Sequence, residues 1–300
     1  MPLYPTPRPP ATIASVTQTP ATALQRLLKR LDVQRLDRDL FLGDAGRGEG
    51  RLFGGFVAAQ SLVAASRTLE PAQGEVHSLH AYFIRPGQHH VPITYTVDRI
   101  RDGKSFATRR VAAHQAGEGI FCLDASYTPG EEGISHQEPM PEAPGPDGLL
   151  NWDLIRSDRN IDPESWGRWS PIEILACDPA AARSTERGPA HRQVWIRPRG
   201  EMPADPLMHA ALITWASDRG LVSTAQRAHG IAWNRASSAS LDHTIWFHRP
   251  ARWDGWMLYT AWSNAANSGR ALIHGTMYRQ DGTLMASVAQ EGLVRRARPS

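Results

Sequence analysis

A short segment of this chain recurs 164 residues further on, and this repetition constrains the fold more than any other feature of the sequence. Residues 78–86 and 242–250 end alike; the aligned positions are Phe83 with Phe247, Arg85 with Arg249, and Pro86 with Pro250. A turn glycine repeats at almost the same offset, as Gly117 and Gly282. A nearly constant offset over two landmarks indicates a duplicated unit.

Each copy carries one helix that is apolar almost all round. Residues 51–69 open with paired glycines and continue as an Ala-rich helix, and residues 206–218 form a similar helix in the second copy. A helix of this kind is buried. Ahead of the first copy, the spacing predicts an amphipathic helix from residue 23 to about 35, with Thr22 as N-cap and Gln25 completing a capping box.

The remaining segments of each copy predict strands, because they are rich in β-branched and aromatic residues and end at turn sequences. In the first copy these are residues 77–86, 92–100, 105–114 and 119–127; in the second they are residues 172–177, 192–196, 242–250, 256–262, 269–279 and 283–295. One buried helix with an antiparallel meander is an α+β pattern rather than an alternation of strands and helices.

Composition divides the chain further. Residues 1–20 are rich in Pro and Thr and predict a flexible tail, followed by a first repeat at 21–128. Residues 129–148 hold five prolines and four glycines, which predicts a linker that we extend to residue 165. The second repeat then covers residues 166–300.

Several classes of protein are disfavoured. Hydrophobic residues make up 41% of the chain and charged residues 21%, so a folded core is expected, and no apolar run is long enough for a membrane span. The N-terminus lacks the apolar stretch of a secretory signal and there are two cysteines, so we expect a cytoplasmic protein. The net charge is +3, but without blocks of like charge or a known motif we expect no nucleic-acid partner.

Common catalytic motifs are also missing. No G-x-S-x-G sequence is present, so a nucleophile-elbow hydrolase is disfavoured. The segment 103–105 resembles the end of a phosphate loop but is better explained as a hairpin turn. His77 and His80 lie three apart in a predicted strand and therefore face opposite sides of a sheet. We expect no metal and no cofactor.

Six short motifs in order, at residues 53–55, 77–86, 101–111, 229–230, 242–250 and 290–292, resemble the acyl-CoA thioesterase II family. The resemblance covers the chain from about residue 22 to 296. It implies a double hotdog, in which two tandem repeats each wrap an antiparallel sheet around a central helix. It also implies hydrolysis of fatty acyl-CoA to a free fatty acid and CoA.

The resemblance further implies a site in which Asp218, Ser240 and Gln290 hold the attacking water. Two of these residues are unusual on physical grounds alone. The helix dipole disfavours an acid such as Asp218 at a helix C-terminus, and Gln290 interrupts an otherwise apolar strand, where a buried amide needs partners. The backbone N–H groups near Gly54 and Gly55, or near His209, are the expected donors to the thioester oxygen.

Two departures from the family pattern leave alternatives open. Ser240 stands where the family often has threonine, and Phe56 where it commonly has glutamine. A non-catalytic acyl-CoA binder of the same fold is one alternative. The other alternative is an enoyl-CoA hydratase, which would use an Asp/His pair. Asp242 and His243 resemble such a pair. Neighbouring strand residues face opposite ways, however, so packing is the expected role of His243. Sheet edges and faces left open predict a homo-oligomer, most simply a symmetric dimer.

Overall fold

The computed structural model describes residues 21–152, 155, 170–231 and 236–296. The predicted tail at residues 1–20 lies outside the described part of the chain, as do most of residues 153–169, which hold the end of the predicted linker and the start of the second repeat.

The first part of the chain opens with helix α1 (Ala23–Leu31), which begins where the sequence predicts. The Thr22 hydroxyl accepts the Gln25 N–H at 3.2 Å and the Gln25 side chain accepts the Thr22 N–H at 2.9 Å, so the capping box is confirmed. The predicted end at residue 35 is wrong. Asp32 already has extended backbone angles, and the following residues pair as a strand instead.

The first repeat then contains six strands around one long helix. The elements are β1 (Gln34–Asp37), β2 (Leu40–Gly43), α2 (Gly54–Ser66), β3 (Glu75–Phe83), β4 (Ile93–Asp102), β5 (Ala107–Gln115) and β6 (Glu118–Thr128). Eleven consecutive residues of α2, Gly55 to Ala65, are buried, which confirms the prediction of a helix without a solvent-facing side.

The second repeat follows the same plan with additional short elements. One of them, β7 (Leu150–Asn151), lies inside the predicted linker and pairs with the next strand, β8 (Ile172–Ala176). The remaining elements are α3 (Pro179–Arg183), β9 (His191–Pro198), α4 (Pro206–Ser217), α5 (Leu221–Arg227), β10 (Ala236–Ser240), β11 (Asp242–Phe247), β12 (Met257–Asn267), β13 (Arg270–Arg279) and β14 (Leu284–Arg296). Helix α4 is the counterpart of α2 and is buried from Met208 to Ser217.

The strands of both repeats form one continuous antiparallel sheet in the order β1-β2-β4-β5-β6-β3-β11-β14-β13-β12-β9-β8-β7, with β10 paired to β14. The repeats join where β3 pairs with β11, and there His80 pairs with Thr244, its own equivalent at the offset of 164. The two halves are therefore related by a local two-fold axis, as expected for a double hotdog.

Helices α2 and α4 pack against each other in opposite directions. The start of α2 meets the end of α4 so closely that a Cβ atom on Gly55 would lie 2.6 Å from the carbonyl oxygen of Trp215. A glycine at this position lets the two backbones touch. In the described part of the chain, no helix is long and apolar enough to cross a membrane.

Candidate active site

A cleft of about 530 Å³ lies where the start of α2 meets the end of α4. The first repeat supplies a largely apolar wall, formed by Leu52, Phe53, Val57, Phe83, Ile120 and Phe121. The second repeat supplies polar groups from the turn after α4, from α5 and from β10, among them Asp218, Ser223, Gln226 and Ser240. An apolar cavity with a few convergent polar groups is the usual form of a small-molecule site.

Asp218 is the centre of these polar groups. It caps the C-terminus of α4, and only 7% of its surface is exposed. One carboxylate oxygen, Oδ1, accepts a hydrogen bond from Gln290 Nε2 at 2.7 Å and another from the Ser240 hydroxyl at 3.1 Å. The three side chains expected at the site thus meet, although 72 residues separate Asp218 from Gln290.

Strand pairing explains how Ser240 and Gln290 arrive together. Ser240 ends β10 and pairs with Gly292 on β14, two residues beyond Gln290 on the same face of that strand. Gln290 is fully buried, and its Oε1 atom has no hydrogen-bond partner among the described residues. The Nε2 bond to Asp218 is therefore the contact that retains this buried amide.

The other carboxylate oxygen of Asp218 is held by the opposite repeat. Its Oδ2 atom accepts the backbone N–H of Gly55 at 2.7 Å. The N-terminus of a helix carries partial positive charge, so α2 favours the carboxylate that the C-terminal end of α4 disfavours. This cross-repeat contact is the physical reason for an acid at the end of α4.

Gly54, which begins α2, faces the same point. A Cβ atom here would lie 2.5 Å from the Phe83 ring and 3.1 Å from Asp218 Oδ2. Any residue larger than glycine at this position would therefore obstruct the cleft beside Asp218. In the described part of the chain, the Gly54 N–H makes no hydrogen bond. It is therefore available to a ligand.

Comparison with known proteins identifies the family of the chain. The family model described as acyl-CoA thioesterase matches residues 172–293, and the model described as acyl-CoA thioesterase N-terminal domain matches residues 43–129. Acyl-coenzyme A thioesterase 8 of Homo sapiens is 37% identical over 279 residues, which cover 88% of this chain and 87% of that protein. The chain belongs to the acyl-CoA thioesterase family.

Further relatives extend the likeness to bacteria and to solved structures. Acyl-CoA thioesterase 2 of Haemophilus influenzae is 32% identical over 280 residues, covering 91% of this chain and 98% of that one. The crystal structure of the acyl-CoA thioesterase II TesB2 from Mycobacterium marinum superposes with a TM-score of 0.76 at 38% identity, covering 92% of this chain and 99% of that chain. The chain is accordingly a thioesterase with the double hotdog fold.

One residue expected near the substrate lies elsewhere in this thioesterase. His209 is in the first turn of α4, about 13 Å along the helix axis from Asp218 at 1.5 Å per residue, and it does not line the cleft. Its Nε2 atom lies 2.9 Å from the Pro203 carbonyl oxygen, and its Nδ1 atom accepts the Trp253 N–H at 2.9 Å. Both ring nitrogens are thus used within the fold.

His243 and Asp242, the pair that resembled an acid and a base, are separated as the strand geometry requires. Asp242 accepts the Glu291 N–H at 2.6 Å, whereas His243 is fully buried and its Nε2 lies 2.8 Å from the Ser217 hydroxyl. Burial lowers the pKa of His243, opposed by the charge of Asp218. Neither residue lines the cleft.

Nothing in the sequence indicated that Tyr259 lies next to the acid. Tyr259 is buried in β12, and its hydroxyl donates to the Ser217 carbonyl oxygen at 2.6 Å. Burial raises the pKa of Tyr259 far above its ordinary value, so the phenol keeps its proton. Within the described ranges, no three His, Cys, Asp or Glu side chains cluster as metal ligands would.

Proposed function

We propose that this thioesterase hydrolyses fatty acyl-CoA to a free fatty acid and CoA, with Asp218, Ser240 and Gln290 holding the attacking water. The observation that carries the proposal is the carboxylate of Asp218, bound by Gln290 and Ser240 at the polar side of an otherwise apolar cleft. A fatty acyl chain would lie along the apolar wall, and the thioester would reach the carboxylate.

The carboxylate of Asp218 has one lone-pair position left for a water. A carboxylate offers about four lone-pair positions, and Gly55, Ser240 and Gln290 occupy three of them. The remaining position accepts one O–H of a water in the cleft, and Ser240 lines the cleft beside it. Gln290 acts through its bond to Asp218, because its Oε1 atom is enclosed. A water bound through its O–H keeps an oxygen lone pair free to face the substrate.

The chemical step then follows from ordinary acid–base chemistry. The water oxygen attacks the thioester carbonyl carbon while its proton passes to Asp218. The tetrahedral intermediate collapses, the carbon–sulfur bond breaks with its electron pair on sulfur, and the proton on Asp218 is returned to the thiolate or to solvent. A thiol has a pKa of about 8.5, so the thiolate is a good leaving group.

The oxygen that gains negative charge needs a donor, and the Gly54 N–H is the best placed. It opens α2, is free of other hydrogen bonds in the described part of the chain, and belongs to the positive end of the helix. Gly55 has a different role, because its N–H is already bound to Asp218. The Gly54 N–H thus serves the oxyanion, and the Gly55 N–H serves the carboxylate of Asp218.

CoA phosphates need cations at the mouth of the cleft. Arg51 and Arg85 are exposed and line its rim. Arg85 lies 3.5 Å from Glu118, so part of its charge is already balanced, and Arg51 is the stronger candidate. A guanidinium suits phosphate because its planar fork donates two hydrogen bonds at once.

Thiol release from octanoyl-CoA tests the site. We expect Asp218→Asn to lower kcat by a factor of roughly 10² to 10⁴, the usual contribution of a general base, and Gln290→Ala to lower it as well. The matched control is Asp205→Asn at the opposite end of α4, since Asp205 caps that helix from a side chain outside the cleft and asparagine caps equally well. If Asp218→Asn and Gln290→Ala both hydrolyse the substrate at the unmutated rate, the assignment is wrong.

We also propose that the protein is a cytoplasmic homo-oligomer, in the simplest case a dimer. Cys122 and Cys177 are free and partly buried, which suits a reducing compartment. Tyr82 and Trp246 are 63% and 39% exposed on the neighbouring strands at the centre of the sheet, and such aromatic surface is suited to a protein contact. Light scattering of the purified chain measures the mass directly, and a monomer at micromolar concentration would exclude the dimer.

A further inference from the structure

Three strands of the second repeat each direct one polar side chain to the residues that flank Asp218. Tyr259 of β12 donates to the Ser217 carbonyl oxygen at 2.6 Å, and Arg192 of β9 donates to the Arg219 carbonyl oxygen at 3.1 Å. His243 of β11 contacts the Ser217 side chain at 2.8 Å. The last carbonyl groups of a helix lack partners within it, so the Tyr259 bond fixes the end of α4, and the Arg192 bond fixes the turn that follows Asp218.

The histidine is fully buried, and burying a polar imidazole costs solvation energy. Its Nδ1 atom has no hydrogen-bond partner among the described residues, so the contact with Ser217 is the one that retains it. The Ser217 hydroxyl also donates to the Thr214 carbonyl oxygen at 3.0 Å. A hydroxyl has one proton to give, so the imidazole must donate, from a protonated Nε2. Because burial lowers its pKa, His243 is neutral and donates one hydrogen bond.

The first repeat shows what the fold alone requires at this position. The residue 164 positions before His243 is Leu79, which is also fully buried on the equivalent strand. Helix α2 ends at Ser66 as α4 ends at Ser217, but the next residue is Arg67 rather than an acid. The same architecture therefore accepts a leucine where no acid follows the helix, and holds a histidine where Asp218 does.

We propose that His243 is a positioning residue, which acts through Ser217 to hold Asp218 against Gln290, Ser240 and Gly55. The inference rests on the proposed function, since it assigns a partner to the acid of that site. His243 does not touch the substrate and exchanges no proton with it. Its hydrogen bond fixes the Ser217 side chain, and with it the direction in which the next residue leaves the helix.

The test is a set of variants assayed for thiol release from octanoyl-CoA. His243→Leu introduces the residue that the first repeat tolerates, and we expect kcat to fall by roughly 10- to 100-fold with little change in KM. His243→Gln can place an amide N–H near the position of Nε2, and we expect it to recover most of the lost kcat. Ser217→Ala should lower kcat as His243→Leu does, and the double variant should be no worse than the more impaired single variant, because both remove one contact.

Two controls separate this proposal from its alternatives. Ile245→Val removes a methyl from a buried neighbour on the same face of β11 and should leave kcat unchanged; thermal melts show which variants remain folded. If Asp218→Asn is inactive but His243→Leu is fully active, the positioning role is wrong and the site stands. The proposal is also overturned if His243→Gln is as impaired as His243→Leu, or if the losses from Ser217→Ala and His243→Leu multiply.

Discussion

The contact between α2 and α4 gives the sharpest prediction, through the substitution Gly55→Ala. The added methyl would lie 2.6 Å from the Trp215 carbonyl oxygen, whereas ordinary contact begins at 3.4 Å, so the helices must separate there by about 0.8 Å (3.4 − 2.6). The nearest atom belongs to the backbone and cannot turn aside as the Phe53 ring, 2.8 Å from the methyl, can, so the strain passes to the end of α4.

The same displacement reaches the acid. The Gly55 N–H donates to Asp218 at 2.7 Å, and adding about 0.8 Å brings that distance to about 3.5 Å, where little of a hydrogen bond remains. A misplacement of about 1 Å at a reacting group can cost roughly 10²-fold in rate. Overpacking lowers the free energy of unfolding by about 1–3 kcal/mol. In a large domain, each kcal/mol lost lowers Tm by about 2–4 °C.

We therefore expect Gly55→Ala to lower kcat by about two orders of magnitude, while a melt shows a folded protein with a lower Tm. Thiol release from octanoyl-CoA and a thermal melt provide the two measurements. Gly133→Ala is the control, since nothing lies within 4 Å of its added methyl. A Gly55→Ala protein with unmutated kcat would refute the idea that close contact between α2 and α4 holds Asp218 in its active position.

Three further outcomes follow from the site and its surroundings. Ser240→Thr should retain at least the unmutated kcat, because threonine keeps the hydroxyl and its methyl restricts the rotamer; a clear loss of thiol release would contradict the hydrogen-bonding role of the Ser240 side chain. Arg51→Ala should raise KM for octanoyl-CoA by several-fold at low salt and by less at high salt, since ions screen an exposed charge; an unchanged KM would remove Arg51 from the CoA site. The midpoint of urea unfolding should fall as the pH drops from 7.5 to 5.5. Burial lowers the pKa of four histidines in the folded protein, so the unfolded chain binds more protons than the folded one over this range; they are His77, His191, His243 and His248. A midpoint that does not change with pH would contradict this.

The regular elements that face the core could be predicted from local composition, which is apolar in the central helices and rich in β-branched and aromatic residues in the strands. In β5, alternate residues from Ala107 to Gln115 are buried, but two of them are Arg109 and Gln115, so alternation of apolar residues would not have revealed this strand. Strand β1 has no such signal, since all four of its residues are exposed and only its pairing with β2 defines it. Strand β10 consists of alanine and serine and depends in the same way on β14.

The candidate site was predictable only as far as family resemblance and local anomalies reach. An acid at a helix C-terminus and an amide in an apolar strand are visible in the sequence, and the structure brings Asp218 and Gln290 together. The partner of the acid, Gly55, lies 163 residues away, and no local pattern connects the two. His209 was expected near the substrate because it starts a central helix, but Asp218 ends the same helix, so the length of α4 keeps the two apart.

The hydrogen bond from Gly55 to Asp218 joins the two halves of the polypeptide at the point where chemistry is expected. Two separate chains sharing such a contact would lose it on dilution. Tethering the halves keeps their effective concentration high and their ratio at one to one. It also frees them to diverge, so that Leu79 and His243 occupy equivalent positions within one molecule, which identical subunits encoded by one sequence could not achieve.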